Sequence, residues 1–229
     1  MQSDSTYRSS PSAPATAPKT PLERIAISVL LFCYASGVLA HLLPTVLPLT
    51  RYITDLFLFG INGLVLYAIY QRNRDVRLFY WLIAAYVFTF ATEALGVATG
   101  LIFGEYTYGA TMWMQWLGVP FAIALNWCVL ALAANDLSSR LIHSPWVAAG
   151  LAGTMLALYD VVIEPVAIAL DYWTWAAVTV PIRNYLAWAV VGILISLPLQ
   201  LFSIRYRSPL WVVYFVAQLV FFLLLNLLL

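Results

Sequence analysis

Seven runs of about twenty mostly apolar residues constrain this chain more than any other feature. They fall at about 22–43, 52–70, 78–98, 113–134, 145–169, 182–200 and 209–229. Each is near the ~20 residues that cross a bilayer as a helix. The runs are continuous rather than alternating, which points to helices and not to a barrel. The expected fold is therefore all-α: a polytopic membrane protein, a bundle of about seven transmembrane helices. Composition agrees, because only 9% of the 229 residues are charged, against ~25% for a soluble domain.

The first run could be confused with a signal peptide cut after Val38-Leu39-Ala40. It is longer than the roughly 7–15 apolar residues of a signal core, so it reads as a span. Residues 1–21 are rich in Ser, Thr, Pro and Ala and hold the one lysine, Lys19. They read as a disordered cytoplasmic tail, and 22–229 as the transmembrane domain. Connectors are expected around Pro44 and Pro48, at 71–77, 100–109, 135–144, 171–181 and 205–209.

Basic residues set the expected orientation. With seven alternating spans, Arg8, Lys19, Arg24, Arg72, Arg74, Arg77, Arg140, Arg205 and Arg207 share one side with the N-terminus. Arg51 and Arg183 take the other. By the positive-inside rule the N-terminus is cytoplasmic and the C-terminus outside, in what we expect to be a bacterial inner membrane. The alternative is that the last segment lies against the bundle without crossing it.

Carboxylates within such spans are expensive and are functional candidates by default. At ~1.5 Å per residue, Glu93 and Asp160 each lie about 22 Å from the cytoplasmic start of their spans, and Glu164 about 6 Å further out. Asp55, Glu105 and Asp171 also fall in the outer half, so six acids face one region. Asp4, Glu23, Asp75 and Asp136 lie instead among cytoplasmic basic residues.

Asp160 and Glu164 are spaced i, i+4 and share a helix face. In a low dielectric such a pair carries one negative charge far more cheaply than two, so one member is expected to keep its proton. A protonated carboxyl is what general acid catalysis needs. The plainer reading is that either acid pairs with Arg183 and ties helices together, although one arginine cannot neutralise three carboxylates. Pro165 removes a backbone donor beside the pair, as an ordinary transmembrane proline also would.

The outer segments Gly104-Glu105-Tyr106-Thr107-Tyr108-Gly109 and Asp171-Tyr172-Trp173-Thr174-Trp175 are aromatic-rich. An interfacial aromatic belt explains any single ring. The functional reading is a wall of π faces that steadies a carbocation.

Other classes find no support. Net charge is +1, so nucleic acid is not an expected partner. Cys33 and Cys128 sit in separate apolar runs, and His41 and His143 are far apart, so neither a disulfide framework nor a metal site is expected. No phosphate-loop or His-Glu-x-x-His motif is present. A retinal protein needs a lysine within a span, and Lys19 lies in the tail.

A resemblance then emerges. The run Glu93-Ala94-Leu95-Gly96-Val97-Ala98-Thr99-Gly100 leads to Phe103-Gly104-Glu105-Tyr106-Thr107-Tyr108 and Gly118-Val119-Pro120, followed by Trp127. Next come Asp160-Val161-Val162-Ile163-Glu164-Pro165-Val166-Ala167, Trp173-Thr174-Trp175, and Pro181 with Asn184 and Trp188. In this order they resemble the carotenoid biosynthesis membrane-protein family, which includes the carotenoid 1,2-hydratases acting on γ-carotene-type and bacterioruberin-precursor substrates. The resemblance covers about residues 80–190. Leu101-Ile102 stands where a proline is expected and Ala187 where a glycine is expected. Neither change replaces a chemical group, so the reaction class stands and the exact substrate is open.

The resemblance implies hydration of the terminal 1,2 double bond of a linear ψ end group, giving a tertiary alcohol without redox cofactor or metal. It implies as catalytic residues Asp160, Glu164 and Glu93. Substrate contacts would come from Glu105, Tyr106, Tyr108, Asn126, Trp127, Trp173, Trp175, Arg183 and Asn184, with Arg183 and Asn184 at the rim of the acids. The implied partners are a carotenoid drawn from the lipid phase, membrane lipid and other enzymes of carotenoid synthesis. Two alternatives remain open: a lycopene-type cyclase, in which the substrate's own double bond captures the cation, and a proton-coupled transporter. An ordered water beside the acids, held by groups such as Asn126 and Asn184, would favour hydration. Midplane helix breaks and an internal repeat would favour transport, and neither is seen in the sequence.

Overall fold

The computed structural model describes residues 19–229. Most of the expected tail, residues 1–18 with Asp4 and Arg8, lies outside the described residues. The helices are α1 (Pro21–Leu42), α2 (Leu47–Asn73), α3 (Arg77–Thr99), α4 (Phe121–Leu141), α5 (Pro145–Ala169), α6 (Ile182–Leu201) and α7 (Leu210–Leu228). Each is long and apolar enough to cross a membrane, which makes this an integral membrane protein of the all-α class. Four short strands lie between helices: β1 (Tyr106–Tyr108), β2 (Gln115–Trp116), β3 (Val119–Pro120) and β4 (Trp173–Trp175).

Local chemistry sets the helix ends. Thr20 caps α1 in a reciprocal box with Glu23, and Pro21 occupies the first turn, where its missing N–H costs nothing. Arg74 and Gly100 close α2 and α3 in left-handed conformations. α5 continues through Pro165 to Ala169. The fourth span is displaced from the expected 113–134, because Trp113 and Met114 lead into the β2–β3 hairpin of Gln115 to Pro120 and Pro120 is the N-cap of the helix. The Met, Trp and Leu residues of that hairpin are as apolar as a span, so hydropathy cannot separate them from α4.

α4 is the central helix. It packs against α2, α3, α5, α6 and α7 and is almost wholly buried. Ala122, Ala124, Ala131, Ala133 and Ala134 keep its surface narrow enough for neighbours on all sides. α5 and α6 make the closest pairing. A Cβ on Gly153 would meet the Ala189 carbonyl at 2.4 Å, and one on Gly192 would meet the Gly153 Cα at 2.9 Å. This contact holds the acid-bearing part of α5 in register with the start of α6.

The bundle has two distinct ends. At the basic end α1, α3, α5 and α7 begin and α2, α4 and α6 finish; Arg72 meets Glu23 there, and Arg140 meets the Ser208 carbonyl. At the opposite, acid end, β1 pairs antiparallel with β4, Tyr106 facing Trp175 and Tyr108 facing Trp173. This ribbon joins the α3–α4 connection to the α5–α6 connection. α7 runs the length of the bundle, from Leu210 at the basic end to Asn226 near the other, whose amide donates to the Val162 carbonyl at 2.6 Å.

Candidate active site

Three carboxyls from two helices surround one small cavity at the acid end. Glu93 comes from α3, and Asp160 and Glu164 come from α5. All three are at most 3% exposed. The cavity is walled by Tyr106, Tyr108, Ile123, Trp127, Trp173, Trp175, Asn184 and Trp188. Its free volume is about 20 Å³, room for about one water molecule.

Each acid is met by neutral donors. The indoles of Trp173 and Trp175 both donate to Glu164 Oε2 at 2.9 Å. The Asn184 amide donates to Asp160 Oδ2 at 2.5 Å and to Glu164 Oε1 at 3.2 Å, bridging the pair. The Tyr106 hydroxyl donates to Glu93 Oε2. Tyr108 lies within reach of the same carboxyl. Burial, and after it the neighbouring Glu93, pushes both phenols far above their ordinary range, so they stay protonated. No ion pair among the described residues involves Glu93, Asp160 or Glu164.

The β1–β4 ribbon explains how four aromatic side chains reach the acids. Side chains alternate faces along a strand. Tyr-Thr-Tyr therefore directs Tyr106 and Tyr108 inward and leaves Thr107 exposed, and Trp-Thr-Trp does the same around Thr174. A second aromatic wall is a stack. Trp127 lies on Trp188 with ring centroids 3.8 Å apart, and Trp188 lies against Phe103 at 5.1 Å. Phe103 fits there because Gly96 has no side chain; a Cβ would meet its ring at 2.5 Å.

Three expected residues stand elsewhere. Glu105 is exposed, because it precedes Tyr106 on the ribbon and takes the opposite face. Arg183 is exposed and makes no ion pair among the described residues, since its neighbour Asn184 holds the inward face of α6. The expected rim position thus belongs to neither: Asn184 is central and Arg183 is outside. Asn126 is about 100° around α4 from Trp127, and it turns toward α2 and α7. There it accepts from Asn62 at 3.2 Å and from Tyr214 at 3.1 Å. Asp55 and Asp171 also leave the cluster. Asp55 accepts from the Met114 backbone, and Asp171 from that of Ala110.

Trp188 and Ile123 are wall residues that the sequence did not single out as a site, and Phe103 backs Trp188. Trp188 stands four residues after Asn184, one helical turn along the same face, and that spacing was the available signal. Among the described residues, no three His, Cys, Asp or Glu side chains gather closely enough to hold a metal ion.

Fold and site together define a class: helical membrane proteins with a buried, uncompensated acid cluster under an aromatic lid. The chain belongs to the carotenoid biosynthesis protein family, whose sequence profile matches residues 53–229. That match extends well beyond residues 80–190 and takes in most of α2, α6 and α7. A relative named bisanhydrobacterioruberin hydratase, from Haloarcula japonica, is 31% identical over 119 residues. The match covers 48% of this chain and 41% of that protein, so less than half of the relative is spanned. No solved structure matches. Family and relative together support a carotenoid-modifying role.

Proposed function

We propose that the protein is a carotenoid 1,2-hydratase, adding water across the terminal double bond of a linear ψ end group. The observation that carries this reading is the convergence of Glu93, Asp160 and Glu164 on a cavity with room for about one water. Asp160 acts as the general acid. It is slightly more enclosed than Glu164 and is held by Asn184. Its proton passes to the less substituted carbon of the double bond, leaving a tertiary cation at C1. The faces of Trp127, Trp188 and the ribbon aromatics stabilise that cation. Water then bonds to C1 through oxygen, and the proton it sheds returns to the carboxylate cluster. Glu164, fixed by two indoles, orients the water.

The substrate enters from lipid, as its apolar character requires. The N-terminus faces the cytoplasm, and the acid end lies in the outer half of the membrane. The distribution of basic residues supports this orientation. Reporter fusions at Asn73 and after Leu229 test it: opposite sidedness is expected, and equal sidedness contradicts it.

The reaction is tested by expressing the chain in cells that make lycopene or γ-carotene and weighing the pigments by mass spectrometry. A gain of one water is expected. A product isomeric with its precursor would mean that cyclisation ends the reaction instead.

A further inference from the structure

A second, larger cavity of about 320 Å³ lies between α1, α2, α4, α5 and α7, at the lower end of the usual range for small-molecule sites of about 300–1,000 Å³. Its walls are mostly apolar, yet His41 and Thr50 bring hydrogen-bond acceptors to them. His41 fixes this chemistry. Its Nδ1 lies 2.7 Å from the Gly37 carbonyl, and a carbonyl can only accept, so Nδ1 carries the ring proton. In the neutral ring Nε2 is then an acceptor. It is buried and has no hydrogen-bond partner. The Thr50 hydroxyl faces the same cavity and has already given its proton to the Leu47 carbonyl at 2.8 Å, leaving only lone pairs.

Tyr34 and Gln218 lie elsewhere on the cavity wall. Seven residues separate Tyr34 from His41, about 10 Å along α1, and the Phe221 ring touches both edgewise. Tyr34 and Gln218 lie close enough to interact with each other, although not in hydrogen-bond geometry. His41 has the Arg51 guanidinium within electrostatic range, but neither His41 Nε2 nor the buried Arg51 Nε makes a hydrogen bond. A hydrocarbon cannot satisfy the free His41 nitrogen, and a ketone cannot either, because both lack a proton to give.

Ile123 lines this cavity and the acid cavity alike. We propose that the larger cavity is a second binding site, which takes a hydroxyl-bearing isoprenoid segment and holds its O–H against His41 Nε2 and Thr50. Resting on the hydratase reading, the ligand is the tertiary alcohol made at the acid cavity. The two cavities share Ile123 in their walls, and the larger one recognises the new hydroxyl. The substrate, which lacks that donor at the same end, is held less tightly there.

The test uses the full chain in lipid nanodiscs, titrated with a 1-hydroxylated acyclic carotenoid and separately with its parent hydrocarbon. Binding is read by quenching of tryptophan fluorescence. The alcohol is expected to bind more tightly, by up to about tenfold, the effect of one hydrogen bond. His41→Leu should bring the two ligands to parity, and Thr50→Val, which keeps the local shape, should reduce the preference in part. Equal binding of alcohol and hydrocarbon by the unaltered protein overturns the proposal. So does a preference that survives both substitutions. Binding needs no turnover, so a preference lost in His41→Leu stands even if pigment analysis finds no water gained. Hydration without any such preference removes the second site alone.

Discussion

The two ends of the bundle treat buried carboxylates in opposite ways. At the basic end every acid among the described residues has its arginine: Glu23 with Arg72, Asp75 with Arg77 and Asp136 with Arg140, each at 2.7 Å. At the acid end Glu93, Asp160 and Glu164 have only phenols, indoles and an amide. A paired carboxylate is fixed as an anion and joins helices. A carboxyl given neutral donors, close to others of its kind, is free to exchange a proton. The lesson is that partner identity separates ion-paired acids from those we propose as catalytic, whereas burial alone does not: Glu23 and Asp136 are as deeply enclosed as Asp160.

Substitution should therefore dissociate the two ends. Asp160→Asn keeps the shape and removes the transferable proton. It is expected to lower hydration by ~10²–10⁴-fold, the usual contribution of general acid catalysis, while protein in the membrane stays near normal. Full pigment yield at matched protein level would remove Asp160 from that role. Arg72→Met should do the reverse. It leaves Glu23 buried beside a hydrophobe, and breaking such a pair costs ~3–5 kcal/mol. A lower thermal midpoint in detergent, with hydration per folded molecule unchanged, is the expected result; an unchanged midpoint would mean the pair contributes nothing.

Smaller changes sharpen the contrast. Trp175→Phe deletes one of the two indole donors on Glu164 and keeps most of the aromatic wall. Loss of one hydrogen bond to a carboxylate, ~1.5–3 kcal/mol where charge is involved, predicts a fall in turnover of at least about tenfold, measured as product per protein. The smallest effect is expected at Asp75, between α2 and α3. The Arg77 guanidinium holds its carboxyl down to about 2. Its stabilisation is thus complete above the unfolded value of roughly 3.9 and fades as pH falls through about 2. Acid unfolding of the native chain and of Asp75→Asn should diverge above pH ~4 and converge toward pH ~2. Curves that stay parallel throughout would show that Asp75 is not held by Arg77.

Much of this was legible in the chain. Long apolar runs and their Pro and Arg punctuation locate six of the seven helices to within a few residues at most ends. α2 is the loosest of these, beginning five residues early at Leu47. α4 escapes because the β2–β3 hairpin is itself apolar. The i, i+4 spacing marks Asp160 and Glu164, and depth along α3 marks Glu93. What failed was direction within a residue pair. Asn126 and Trp127, or Arg183 and Asn184, are neighbours in sequence but point to different sides of a helix, and which side faces the acids is set by tertiary packing. The Tyr-Thr-Tyr and Trp-Thr-Trp alternation did carry a strand signal of period two; reading both segments as outer loops hid the ribbon and left Glu105 on the wrong face. The larger cavity has no sequence signature, because it is a gap among five helices and not a motif.

The central claim is that the acid end adds solvent water to a carbon–carbon double bond. The most direct test gives the purified protein, in nanodiscs, an acyclic carotenoid with a ψ end group in oxygen-18-labelled water. The account predicts a product heavier than its substrate by one labelled water, with the label in the new tertiary alcohol. A product of unchanged mass, carrying no label, would contradict it.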